Sequence, residues 1–331
     1  TIQKGIYIHM ARTEEKAEQT LILLQQNKSV KNVIEQLCLN DNEWYRVSSK
    51  AYALHLKKAH KQRKEDEKKS HVACTSNDEI KDIIKLNNDM ADLALSLPTI
   101  ATMADYKRVQ ILLEDMPKNE TTLLALVEEI TMSPRMRALQ KKGRFEHFQP
   151  FIEFVDFIEA ATLCYFRGNY ISSYLTLVPI AEGIILRWLG YYGQGKKPDF
   201  ETLRKFFSKS YTRQPCPGNP LFHEVYTKVC DKIFNEHLYK PSDQGQAYAN
   251  FNRHLAVHLL DSSQFTTKEN CIRLFLLIDT MTELYHYETY CSDPRFYLTW
   301  EQIQQEYQIY TQLLTEQAMI NTPEKKLLKS L

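Results

Sequence analysis

Apolar residues along this chain recur at helical spacing almost from end to end, and the pattern predicts a succession of amphipathic helices. Residues 11–26 place Ala17, Leu21 and Leu24 on one face. Ser29 is a good N-cap for a short helix over 30–37, in which Val30, Val33, Ile34 and Leu37 fall at the i, i+3, i+4, i+7 positions. After a polar break, Leu39-Asn40-Asp41-Asn42, a longer helix runs from Glu43 to about Lys69, carrying Trp44, Tyr45, Val47, Tyr52 and Leu56; its far end is nearly all charged and is expected to be solvated. Residues 70–77 read as a linker. Helices follow over 78–96, 102–115, 120–131 and 134–141, punctuated by Pro98, Pro117 and Pro134.

The apolar pattern strengthens from residue 144. A helix over 150–167 closes on Arg167-Gly168-Asn169, a C-cap pattern. The next, 170–190, carries an apolar stripe from Tyr170 to Trp188, and Pro179 within it predicts a kink or a local break. Residues 191–220 hold most of the chain's loop chemistry, Gly193-Gln194-Gly195, Pro215 and Pro217-Gly218, around a short helix near 199–209. Further helices are expected over 220–238, 249–260 and 268–290, the last capped by Thr267, with loops at Pro241 to Gly245 and Ser262 to Phe265. A glutamine-rich amphipathic helix over 299–318 reads as a packing or oligomerisation arm. The fold class is therefore all-α: a multi-helix bundle with a small helical N-terminal domain. The expected divisions are 1–75, a helical connecting region 76–143, a main helical domain 144–295, and a C-terminal helix and tail 296–331.

Composition narrows the function classes. The 331 residues suffice for two domains, or for one large domain with an appendage, and 43% hydrophobic against 25% charged is an ordinary globular balance. Only nine glycines occur, where average usage gives roughly twenty. With no GxGxxG or GxxxxGK[ST] string, a mononucleotide-binding α/β enzyme is disfavoured. The net charge of +1 selects no partner, but residues 1–75 carry 14 Lys/Arg against 9 Asp/Glu, a front end compatible with nucleic acid. Cys38, Cys74, Cys164, Cys216, Cys230, Cys271 and Cys291 are widely spaced, with no CxxC. That is the usage of thiols in a reducing compartment, so a cytoplasmic location is expected. The longest apolar runs, Ile184-Ile185-Leu186 and Leu274 to Ile278, are too short to span a bilayer, and no membrane partner is expected.

Helix, short helix, brief turn and basic helix in succession resembles a helix-turn-helix DNA-binding unit over roughly residues 11–60. Lys50, Lys57, Lys58 and Lys61 would then be its nucleic-acid contacts, with DNA as partner. The other reading is a helical cap with a solvated charged arm.

The stretch Asn252-Arg253-His254-Leu255-Ala256-Val257-His258 carries the most chemistry. His254 and His258, four apart, lie about 40° apart around a helix. A zinc-protease motif would need Glu where Leu255 stands, and no third ligand has a persuasive spacing, so neither metal nor cofactor is expected. An acid–base reading fits better. Arg253 offers a fixed positive charge for a phosphate, and His258 a proton donor or acceptor near neutral pH. RNA cleavage needs such groups to deprotonate the 2′-hydroxyl, protonate the leaving 5′-oxygen and stabilise charge on phosphorus. Positions i and i+5 are about 140° apart on an ideal helix, so Arg253 and His258 converge only if the helix begins near Arg253 or if two copies meet.

Arg253, a polar residue, three more residues and His258, between helices of an all-helical domain, is similar to the motif of HEPN-superfamily ribonucleases. The flanks, Phe251-Asn252-Arg253-His254, Thr267-Lys268-Glu269-Asn270 and Arg273 to Asp279, resemble a bacterial subgroup with Asn-Arg-His, three residues and His-Gly; Leu259 departs from it. The resemblance covers roughly residues 145–290. It implies a dimerising helical bundle and metal-independent endoribonuclease activity, in phage defence or toxin–antitoxin systems, with an RNA substrate and an antitoxin or regulatory protein as partner. His258 would be the general acid/base and Arg253 the phosphate clamp, with Asn252 and His254 positioning the substrate or the catalytic pair. Glu182 reads either as an ion pair with Arg187 or a neighbouring helix, or as a partner orienting His258 or Arg253. Two other readings stand beside this. Arg253 could pair with Asp279 or Glu283 and His258 be a core histidine, or the domain could be a non-catalytic HEPN-like or helix-turn-helix adaptor.

Overall fold

The computed structural model describes residues 2–26, 28–68, 77–98, 101–208, 220–241, 246–258, 265–289, 293–319 and 322–327. Among them every regular element is helical and none is a strand. The contacts group the chain into two units. One comprises Thr1–Lys85, Thr212–Tyr226 and Leu284–Ser292; the other comprises Leu86–Tyr211, Thr227–Glu283 and Asp293–Leu331. No helix among the described residues is long and apolar enough to cross a membrane.

In the first unit, α1 (Ile2–Gln25), α2 (Val30–Gln36) and α3 (Asp41–Lys68) form a three-helix core. Ser29 caps α2 as expected, its Oγ accepting from the Asn32 amide at 3.2 Å. Cys38 turns the chain with φ 49°, and Asn40 and Glu43 then cap each other's amides, which starts α3 two residues earlier than its apolar pattern alone indicates. Ala17, Leu39, Val47 and Ala51 are buried together, with Ile34, Leu37, Trp44 and Leu54 packed around them. Tyr45 and Leu56 are exposed instead, because they project from the opposite side of α3 to Trp44, Val47 and Ala51. Of the linker expected over 70–77, Asn77 is the first residue of a helix and the rest lies outside the described residues, as do Cys74, Cys216, Cys291 and the loops around 215–218, 242–245 and 262–264.

In the second unit, α4 (Asn77–Asp92, of which the final turns belong here), α5 (Met103–Leu113), α6 (Glu120–Thr131) and α7 (Pro134–Gln140) join α8 (Gln149–Ile152), α9 (Val155–Phe166) and α10 (Tyr170–Trp188). The expected single helix 150–167 is divided at Glu153–Phe154. The division lets the Phe154 ring lie against α10 at Gly183, where a Cβ would come within 2.6 Å of its Cζ. At the other end, Gly168 (φ 80°) closes α9, and the Asn169 amide reaches the Cys164 carbonyl at 2.8 Å, as the C-cap pattern predicts. Pro179 does not interrupt α10. Tyr174, Leu177, Val178, Ala181, Ile184 and Ile185, all buried, anchor the helix on both sides of it.

The remaining helices are α11 (Phe200–Arg204), α12 (Pro220–Ile233, in this unit from Thr227), α13 (Arg253–His258), α14 (Lys268–Glu288, in this unit as far as Glu283), α15 (Trp300–Ala318) and α16 (Pro323–Leu327). α14 is buried without interruption from Asn270 to Leu284. Its buried acids Asp279 and Glu283 are met by cations. Asp279 pairs with Arg137, while Glu283 accepts from Arg144 at 3.0 Å and forms an ion pair with Arg295 at 2.7 Å. Burying a carboxylate is tolerated only with such partners. Arg295 passes where Gly143 leaves space, since a Cβ there would sit 2.5 Å from the arginine Cγ. α15 packs back onto α7 and α9 through Ile303 and Tyr310, whose hydroxyl meets Glu159 at 2.6 Å. It thus shares the core of this unit.

Candidate functional site

The site residues all belong to the second unit. α12 continues into one wide π-turn, Phe234–Leu238, and Tyr239 follows, fully buried. Farther along, Ala249 (φ 51°) and Asn250 (φ 55°) are both left-handed, a conformation that costs L-residues roughly 1–2 kcal/mol each and is tolerated better by Asn than by Ala. It is held from outside. Asn270 of α14 donates to the Ala249 carbonyl at 2.9 Å and to the Phe265 carbonyl at 3.0 Å, while its own oxygen accepts from Arg273 at 3.0 Å. Arg273 is buried, bonded to the Leu93 carbonyl at 2.9 Å and set over the Tyr248 ring. These bonds explain why the helix expected over 249–260 begins only at Arg253.

Asn252 makes that start. Its amide group donates to the carbonyls of His237 (3.2 Å) and Lys240 (2.9 Å), and its oxygen accepts from the His254 amide at 2.8 Å. The residue is buried and acts as an N-cap tied to the π-turn. Asn252 therefore fixes the start of α13 and so the position of Arg253.

Arg253, the first residue of α13, turns back toward α10. One oxygen of Glu182 accepts from its Nε at 2.9 Å and lies 2.8 Å from its terminal nitrogen, while the other oxygen lies 3.2 Å from the Lys197 ammonium. The guanidinium sits 5.6 Å from the Tyr239 ring centre. Tyr239 lies close enough to Glu182 to feel its charge, and burial first, then that carboxylate, raises the phenol pKa. Arg253 and Glu182 keep 21% and 14% of their side-chain surface, so the pair sits at the edge of solvent.

His254 and His258 stand one turn apart, with rings nearly parallel (9°) and centroids 6.0 Å apart. Phe200, the first residue of α11, flanks His254 at 5.8 Å. Burial, then the charges of Arg253 and His258, hold His254 below the ordinary histidine pKa and favour its neutral form. His258 is exposed. Among the described residues no hydrogen bond or ion pair joins Arg253 to His258, and Leu259 lies beyond them. The helix start at Arg253 thus leaves this pair apart within one chain, with His254 between them. No group of three His, Cys, Asp or Glu among the described residues is placed to hold a metal ion.

Several expectations are corrected here. Arg253 pairs with neither Asp279 nor Glu283, because Arg137, Arg144 and Arg295 occupy those acids. His258 is not a core histidine. Glu182 does not pair with Arg187, which bonds Glu153 at 2.5 Å; its partner is Arg253. In the other unit, Lys50 is engaged by Glu14 at 2.8 Å, while Lys57, Lys58 and Lys61 are exposed. Tyr239, Lys197 and Phe200 are not singled out by the sequence, which gives no sign that they meet Arg253, Glu182 and His254 respectively. Asn270 is signalled only as part of the flanking string after Thr267. Compared with protein-family models, curated proteins and solved structures, the chain matches none.

Proposed function

We propose that this chain is a metal-independent endoribonuclease of the HEPN type, acting as a homodimer. The observation that carries the reading is Arg253 held by Glu182 and Tyr239 at the solvent edge, on the same short helix as the exposed His258. Glu182 engages two of the five guanidinium donors, which leaves others for a phosphate. In the proposed reaction the ribose 2′-oxygen attacks the adjacent phosphorus and the 5′-oxygen leaves. A cyclic phosphate and a 5′-hydroxyl result. His258 exchanges the protons of these two oxygens, and Arg253 stabilises the charge that builds on phosphorus. Because Arg253 and His258 do not touch within one chain, a second copy completes the arrangement. An antitoxin or regulatory protein would act by covering it.

The test is incubation of the purified protein with RNA in EDTA. Cleavage should persist in chelator and be lost in His258→Ala and in Arg253→Ala. RNA left intact by the wild-type protein under every condition refutes the catalytic reading. A second reading, duplex DNA binding by the first unit, is favoured by the α2–turn–α3 arrangement around Cys38 and Asn40. It requires salt-dependent DNA binding that Lys57→Ala with Lys58→Ala weakens and His258→Ala leaves alone.

A further inference from the structure

One exposed segment beside the site has no part in the chemistry above. Past the end of α10, Gly190 (φ 79°) turns the chain, and the Tyr191 amide closes onto the Leu186 carbonyl at 2.9 Å. The chain then runs Tyr191-Tyr192-Gly193-Gln194-Gly195-Lys196-Lys197, with Gly193 and Gly195 also left-handed and open space where a Cβ would stand on either. Two contacts fasten it. Arg187, itself held by Glu153, donates to the Tyr191 carbonyl at 2.9 Å and lies 5.2 Å from the Tyr192 ring centre. Lys197 meets the Glu182 carboxylate that also holds Arg253. Asp199 then caps α11 and sets Phe200 beside His254.

The exposed segment beside Glu182 therefore sets two cations between two rings, in the order Tyr192, Lys196, Lys197 and Phe200. Tyr192 is 55% exposed and Phe200 38%, so both rings keep surface open to a ligand. A ring backed by a guanidinium is a stacking platform, and ammonium groups between such rings suit a phosphodiester backbone. A duplex keeps its bases stacked inside, so only a single strand can use both features. We infer that residues 191–200 are a track for single-stranded RNA that leads the strand to Arg253 and His258, with Tyr192 and Phe200 stacking bases and Lys196 and Lys197 taking phosphates. The inference rests on the ribonuclease reading for what happens at the end of the track.

The test uses the full chain carrying His258→Ala, so that nothing is cut, and a fluorescein-labelled 20-nucleotide single-stranded RNA read by anisotropy. Adding Tyr192→Ala should weaken binding about tenfold, as expected for one lost stacking contact, and Tyr192→Phe should restore it. Lys196→Ala with Lys197→Ala should lower the slope of log affinity against log salt by about 1.4, two phosphate contacts' worth. Thermal melting checks that each variant folds. Unchanged affinity in Tyr192→Ala and in the lysine pair overturns the track, as does equal affinity for the same sequence as a duplex. If binding behaves as described but the wild-type chain cuts no RNA, the nuclease reading fails and the track stands. If RNA is cut while binding ignores these residues, the track fails alone.

Discussion

Removing the carboxylate that holds Arg253 should expose how the site is assembled. One Glu182 oxygen takes both near nitrogens of Arg253, at 2.9 and 2.8 Å, and the other takes Lys197 at 3.2 Å. Hydrogen bonds to charged groups contribute roughly 1.5–3 kcal/mol net. With 21% and 14% of the two side chains still exposed, solvent screens part of that, and a coupling of about 1.5–2 kcal/mol is expected. Arg253→Ala leaves Glu182 with Lys197, and should cost about 2–3 kcal/mol once the contact over Tyr239, worth roughly 0.5–1 kcal/mol, is included. Glu182→Ala should cost more, because two cations then lose their shared anion. Urea unfolding of the wild type, both single variants and the double variant closes the cycle. A coupling below about 0.5 kcal/mol would refute the claim that Glu182 positions Arg253.

Three further outcomes follow from the geometry. Asn252→Asp keeps the oxygen that caps α13 but turns a donor into an acceptor facing the carbonyls of His237 and Lys240; it should lower stability by about 1–3 kcal/mol, and an unchanged melting temperature would contradict the placement. Gly183→Ala should destabilise by about 1–3 kcal/mol through the clash with Phe154, although an alanine in an unobstructed helix interior would stabilise by roughly 0.5–1 kcal/mol; the sign of the change in urea midpoint decides. Burial pushes His237 down to about 4 from its ordinary 6.5. The unfolded chain therefore binds the extra proton, and the stabilising contribution is present above pH 6.5 and lost as the pH falls toward 4. Comparing His237→Asn with the wild type should show a shallower decline over that window, and parallel curves would argue against a buried neutral His237.

Much of the fold is legible in the sequence wherever a helix has one wet face and a side chain that punctuates it. Ser29, Gly168 and Thr267 mark ends that the structure keeps, with the Asn270 amide bonded to Thr267 at 3.2 Å. The break at Phe154 is not legible, because it answers to Gly183 on another helix. The site was legible as a cluster but not as an arrangement. Arg253 and Glu182 stand 71 positions apart, and the sequence offers Arg187, Asp279 and Glu283 as equally good ionic partners. Which acid is free depends on Arg137, Arg144 and Arg295 having occupied the others. The two left-handed residues before Arg253 are equally invisible, since neither is glycine and the cause lies in Asn270.

Asn270 also gives the site a kinetic character. It sits on the stretch of α14 that is buried without interruption, where backbone amides exchange with solvent only through the largest and rarest openings. The Ala249 carbonyl is tied to that stretch by the Asn270 side chain, and Arg273 of the same stretch lies over the Tyr248 ring. The segment carrying Arg253 should therefore exchange in register with the deepest helix of its unit, not at the rate of a surface loop, and Asn270→Ala should release it to exchange independently while α14 itself remains protected.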